Sequence, residues 1–193
     1  MTTLRHMVLA SAAALLLVAC GGDEKPQAGV IELNSLFEAD FALTDFNGDA
    51  VTDEDFEGKP MLIYYGFTAC PDVCPAALGA MGATLDQLGA KASDVHPVFI
   101  TVDPERDTPD RLRNHLAFDE RIIGLTGTPA AIDAARDGLH VYAKKVPLPD
   151  SAMEYTVDHQ RLFYITDKNG TPVKAIPDSV SPEVIAAILA DLL

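Results

Sequence analysis

Apolar residues in this 193-residue chain fall into short continuous runs separated by stretches with a helical period. Pro60–Tyr65 (P-M-L-I-Y-Y) and Val95–Val102 (V-H-P-V-F-I-T-V) are apolar almost throughout. That is the pattern of strands covered on both faces. Between them, Leu78, Met81, Leu85 and Leu88 recur at intervals of three and four. This spacing predicts a helix over Ala76–Gly89, with Pro75 suited to its first turn. Arg121–Leu125 and Leu139–Val146 predict two further strands. Thr108-Pro109 opens a helix that runs to about Phe118, and Thr128-Pro129 opens another that ends at Gly138 as its C-cap. Ser181-Pro182 opens the last helix, whose apolar residues continue to Leu193. Asn47-Gly48 and Asn169-Gly170 each sit between two strand-like runs, Phe41–Thr44 with Ala50–Thr52 and Gln160–Asp167 with Thr171–Ile176. Both read as hairpins. Thr52 with Asp55 gives a weak capping box for one helical turn, and Pro147–Asp158 reads as a loop.

The order is hairpin, then alternating strands and helices, then a second hairpin and a final helix. Parallel β-α-β units closed by an antiparallel pair are the arrangement of an α/β, thioredoxin-like fold. Here it carries an N-terminal β-hairpin and an inserted helix and strand, with a central mixed sheet flanked by helices. The domain is expected over residues 36–193. Ahead of it, Met1–Ala19 has the weakly basic start and short apolar core of a signal peptide, too short to span a bilayer as a helix. It ends Leu17-Val18-Ala19-Cys20, which resembles a bacterial lipobox. That resemblance implies cleavage before Cys20, lipidation of Cys20 and anchoring to a membrane of the cell envelope. Residues 20–35 then form a lipidated N-terminus and a polar, flexible tether.

Charge narrows the function. The formal net charge is −15, and loss of the first 19 residues would remove one cation, Arg5. A surface this acidic argues against nucleic acid as a partner. Cysteine use narrows it further. Of three cysteines, Cys20 is taken by the lipobox, which leaves Cys70 and Cys74. These lie in Y-Y-G-F-T-A-C-P-D-V-C-P, between a buried strand and a helix. A helix N-terminus favours thiolate there. The three-residue spacing lets both sulfurs face one metal ion and still permits a disulfide. His159, in Val157-Asp158-His159 at the head of the last hairpin, is the third candidate donor. In a thioredoxin-like fold that hairpin packs beside the cysteine helix. Two thiolates and an imidazole suit copper(I), or copper(II) if another donor joins, whereas closed structural zinc sites use four protein ligands. Taken alone, a single histidine beside a strand is more commonly a surface or core residue. Asp72, Asp158 and Met153 are secondary candidates, and His96, His115 and His140 read as strand-edge, helix-surface and strand-start residues without ligand spacing.

Phe67-Thr68-Ala69-Cys70-Pro71-Asp72-Val73-Cys74-Pro75, Thr101–Pro109 (T-V-D-P-E-R-D-T-P), Gly127-Thr128-Pro129, Tyr142–Lys145 and Val157-Asp158-His159 together resemble the Sco/SenC family. The resemblance implies a copper-binding domain that faces the periplasm and holds the ion through Cys70, Cys74 and His159. It implies a partnership with the copper-bearing subunit of cytochrome c oxidase, whose binuclear copper site the family helps to assemble, and with a periplasmic copper donor. Two other readings stay open. One is a thiol–disulfide oxidoreductase in which Cys70 attacks, Cys74 resolves and His159 is dispensable. The other is an inert structural disulfide, poorly motivated because a five-residue loop gains little from closure.

Overall fold

The computed structural model describes residues 29–193; the signal segment, Cys20 and the first part of the tether lie outside them. The fold is the thioredoxin-like α/β arrangement that the sequence predicts. At its centre, β4 (Met61–Gly66) is buried at every position. It pairs in parallel with β5 (His96–Thr101), which pairs in parallel with β6 (Ile123–Thr126). A strand flanked on both edges and covered on both faces has no solvent side, which is why its sequence is a continuous apolar run rather than an alternation. The hairpin β2 (Ala42–Asp45) and β3 (Ala50–Thr52) extends the β6 edge. On the other edge, β9 (Leu162–Thr166), β10 (Pro172–Pro177) and β1 (Ile31–Glu32) follow in antiparallel order. β1 falls within the span read from sequence as tether, and its two residues pair with Lys174 and Ala175. β7 (Ala143–Pro147) and β8 (Tyr155–His159) form a separate two-stranded ribbon.

Among the described residues, four α-helices flank the sheet. α1 (Val73–Leu88) packs against α4 (Pro182–Ala190), α2 (Pro109–Leu116) lies on β6, and α3 (Pro129–Gly138) meets β2. The Thr-Pro starts behave as read. The Thr108 and Thr128 hydroxyls accept the N–H groups of Arg111 and Ala131 at 3.3 and 3.2 Å. Each satisfies a donor that a helix start leaves unpaired. Both hairpin turns rest on one device. The carboxylates of Asp45 and Asp167 accept backbone N–H groups two and four residues ahead, at 2.7–3.0 Å.

Several boundaries differ from expectation, among them the strand read over Leu139–Val146, which begins only at Ala143. α1 starts at Val73, three residues early, so Cys74 lies inside the helix. Gly138 does not turn the chain out of α3; His140 does, at φ +52°. Gly138 instead admits Glu38, whose carbonyl would sit 2.4 Å from any Cβ there. Finally, only 148–154 of the expected 147–158 loop is irregular. Tyr155–His159 is a strand because its aromatic and β-branched residues pair with β7, a partner that the intervening prolines hide from a local reading.

Candidate metal centre

The parallel register aligns Gly66, at the end of β4, with Thr101, at the end of β5. The segments that leave these strands, 67–72 and 102–108, therefore emerge side by side at the carboxyl edge of the sheet. Open α/β sheets place their chemistry at that edge. β9 runs antiparallel to β4, with Phe163 opposite Tyr64. The residues just before β9 therefore return to the same edge. This register, and not proximity in sequence, brings His159 to the cysteines.

Local helix chemistry sets the two sulfurs. Asp72 occupies the N-cap of α1, but its carboxylate makes no cap hydrogen bond and is exposed. The N–H of Cys74 donates to Cys70 Sγ at 3.4 Å instead. A sulfur thus takes part of the role that a capping oxygen usually fills. Cys74 lies on the buried stripe of α1 with Ala77, Leu78, Met81 and Leu85, and it is 0 % exposed. Cys70, one turn earlier in the loop, is 7 % exposed and forms the outer member of the pair. Both are free thiols. Gly66 makes room for them, since a Cβ there would lie 2.8 Å from the Phe99 ring and 3.0 Å from Cys74 Sγ.

His159 Nε2 lies 3.5 Å from Cys74 Sγ. Its other ring nitrogen, Nδ1, is 2.9 Å from the carbonyl oxygen of Gln160. A carbonyl only accepts, so Nδ1 carries a proton, and Nε2 is the ring nitrogen that faces the sulfurs. The rings of Phe67 and Tyr64 meet the imidazole edge-on, with centroids at 5.8 and 6.2 Å. The Cys74 thiol thus neighbours both the Cys70 sulfur and His159 Nε2. Its hydrogen bond to Cys70 is the largest influence that lowers the Cys70 pKa, ahead of the opposing effect of burial. The His159 ring and the N–H groups of Cys74 and Asp72 act in the same direction. The same shared proton, with burial, pushes the Cys74 thiol up.

The structure therefore brings together Cys70, Cys74 and His159. It holds them through hydrogen bonds to one another: among the described residues, no group of three or more His, Cys, Asp or Glu side chains stands in a preset metal-holding array. Of the secondary candidates, Asp72 stays at the site through its backbone N–H, which bonds to the Cys70 sulfur. Asp158 is exposed, because alternation along β8 sends it to the face opposite His159; the Gln160 carbonyl orients the imidazole in its place. Met153 contributes its backbone carbonyl, not its sulfur, to Arg106. His115, read as a helix-surface residue, is half-buried against Phe99; its Nε2 has no partner, and burial lowers its pKa.

One residue absent from the ligand reading is central to the frame. Asp107 is fully buried. Its carboxylate accepts the Thr68 N–H at 2.9 Å, the Thr68 hydroxyl at 2.6 Å and the Thr101 hydroxyl at 2.7 Å. It thereby ties the loop carrying Cys70 to the end of β5. The only cue in sequence is an aspartate between a strand and a Thr-Pro helix start, which by itself reads as a turn.

A family model described as SCO1/SenC matches residues 31–193, nearly all of the described chain. The chain belongs to the SCO1/SenC family. Among its relatives is an SCO2-like protein of Rickettsia felis, 36% identical over 187 residues, which are 95% of this chain and 91% of that protein. Among solved structures, Bradyrhizobium japonicum ScoI with copper bound is 44% identical, with a TM-score of 0.75, over 81% of this chain and 99% of that one. BsSco, described as a member of the Sco family of cytochrome c oxidase assembly proteins and as having a disulfide switch, is 25% identical, with a TM-score of 0.65, over 83% and 93%. In this SCO1/SenC protein, Cys70, Cys74 and His159 meet at one edge of the sheet.

Proposed function

We propose that this protein is a copper metallochaperone that takes up one copper ion as cargo through Cys70, Cys74 and His159 and delivers it during assembly of the binuclear copper site of cytochrome c oxidase. The observation that carries the reading is the 3.5 Å approach of His159 Nε2 to Cys74 Sγ, with the other ring nitrogen held by the Gln160 carbonyl. Two sulfurs and a neutral imidazole are a soft donor set suited to copper(I). Uptake would displace the protons the three donors now share, which makes affinity fall as pH falls. The copper-bound relative and the membership of BsSco in a cytochrome c oxidase assembly family support the cargo and the target. The test is competition of the reduced full chain with a copper(I) chelator, with metal analysis for stoichiometry. One copper per chain is expected. His159→Ala is expected to weaken binding by more than the roughly 10–100-fold typical of losing an outer-shell partner. Unchanged affinity in that variant would remove His159 from the site.

A second reading, reduction of the target's copper-ligand cysteines, is favoured by the lowered Cys70 pKa, since thiolate is the attacking species. Wild-type protein that binds no copper while its disulfide exchanges readily would select it. The Leu17-Val18-Ala19-Cys20 motif supports a lipid anchor on Cys20, with the domain facing the periplasm. Cys20→Ala is expected to shift the protein out of the membrane fraction, and retention there would refute the anchor.

A further inference from the structure

We propose that Arg106 is a positioning residue that aims the His159 imidazole at the cysteines. The guanidinium lies between the two segments that surround His159. On one side its Cζ is 3.8 Å from the centroid of the Tyr155 ring; on the other it is 5.9 Å from that of Phe67. Phe67 meets the imidazole directly. Arg106 Nη1 donates to the carbonyls of Met153 and Tyr155 at 3.2 and 3.1 Å, and its Nε pairs with the buried Asp103 carboxylate. The other Asp103 oxygen accepts the Tyr155 hydroxyl at 2.8 Å. Arg106 and Asp103 therefore grip Tyr155 by ring, hydroxyl and backbone.

Strand geometry carries that grip to the site. Residues 155, 157 and 159 share one face of β8, so fixing the face of Tyr155 fixes the roll of the strand at His159. The roll decides whether Nδ1 reaches the Gln160 carbonyl, and that bond keeps Nδ1 protonated and points Nε2 at Cys74. Lysine cannot replace arginine here. An ammonium has no planar fork for a carboxylate and two carbonyls, and no flat face to stack on Tyr155.

The effect on copper rests on the proposed function; the effect on the imidazole does not. The test therefore has two arms on the reduced full chain. In the copper-free arm, imidazole nitrogen NMR of the wild type is expected to report the Nδ1-protonated form of His159 alone. Arg106→Lys is expected to give nitrogen shifts averaged between the two tautomers. Unchanged His159 nitrogen shifts in a folded Arg106→Lys variant would overturn the proposal. In the copper(I) competition arm, the variant is expected to bind about 10–100-fold more weakly. Adding it to His159→Ala is expected to weaken binding no further, because the two changes share one pathway. Equal losses in both backgrounds would also overturn the proposal, as a general structural defect. If the wild type bound no copper but Arg106→Lys still mixed the tautomers, the positioning role would stand and the copper reading would fall. If Arg106→Lys does not fold, Tyr155→Phe, which loses only the hydroxyl bond to Asp103, carries the imidazole arm. Mixed tautomers in that variant would support the proposal and unchanged shifts would overturn it.

Discussion

Asp107→Ala is expected to destabilise the domain by about 3–5 kcal/mol, because it leaves buried donors unpaired at about 1–3 kcal/mol each. The carboxylate is fully buried and accepts from three donors, the Thr68 N–H and the hydroxyls of Thr68 and Thr101. Hydrogen bonds to a charged group contribute about 1.5–3 kcal/mol each, and three at one carboxylate do not add. The nearest cation, Arg111, is 4.0 Å away and half exposed, so it adds little. Alanine leaves the buried Thr101 hydroxyl and the part-buried Thr68 N–H without this acceptor. For a domain of this size, the loss corresponds to a fall in Tm of roughly 6–20 °C. Calorimetry reads this directly, and a shift of under about 2 °C would contradict the network's role. Hydrogen exchange localises it: the Thr68 amide is expected to lose protection before the β4 amides do. The consequence for the site follows from connectivity, since Thr68 precedes Cys70 by two residues. Loosening it releases the outer sulfur while Cys74 stays packed in α1.

The same contrast explains what the sequence made legible. The apolar runs of β4 and β5, the Thr-Pro helix starts and the Asp-anchored Asn-Gly turns are local devices, and local pattern recovers them. The cysteines were legible because their place between strand and helix is itself local. His159 was legible through its resemblance to a family motif; from the residues alone it competed with four other histidines. What aligns it is the β4–β9 register, a long-range pairing with no local trace. The frame was hidden for a related reason. Asp103, Arg106 and Asp107 read as a polar turn, yet two of the three are fully buried, because strands β5 and β8 close over them. Asp158 misled in the opposite direction. Its neighbour in sequence is His159, but a strand sends adjacent side chains to opposite faces, so adjacency argued against contact.

Alkylation of Cys70 is expected to keep much of its rate between pH 8 and pH 5, where an ordinary thiol loses about tenfold per pH unit with its thiolate fraction. The reason is geometric. The Cys70 sulfur receives the Cys74 thiol proton and backbone N–H groups at the start of α1, and these stabilise its anion more than burial disfavours it. A group whose pKa is lowered is charged at lower pH, so the reactive form persists on acidification. Cys74 is expected to behave oppositely. It keeps its proton and donates it as a hydrogen bond to Cys70, is fully buried, and is pushed upward. The measurement is the rate of iodoacetamide labelling at each cysteine of the reduced, copper-free chain, followed by mass spectrometry of the separate peptides. Only the pH dependence is compared, because burial slows the absolute rate. Cys74→Ala removes the largest source of the shift and is expected to return Cys70 toward ordinary thiol behaviour. If the wild-type Cys70 rate falls about tenfold per unit from pH 8 downward, the two sulfurs do not share a proton. If both cysteines label with the same flat profile, the helix start acts on each and the asymmetry between outer and inner sulfur is wrong. The asymmetry matters for transfer. On the proposed copper reading, an incoming ion would meet the outer, anionic Cys70 first, and Cys74 and His159 would engage second, an order that lets a soft ion enter and leave one donor at a time.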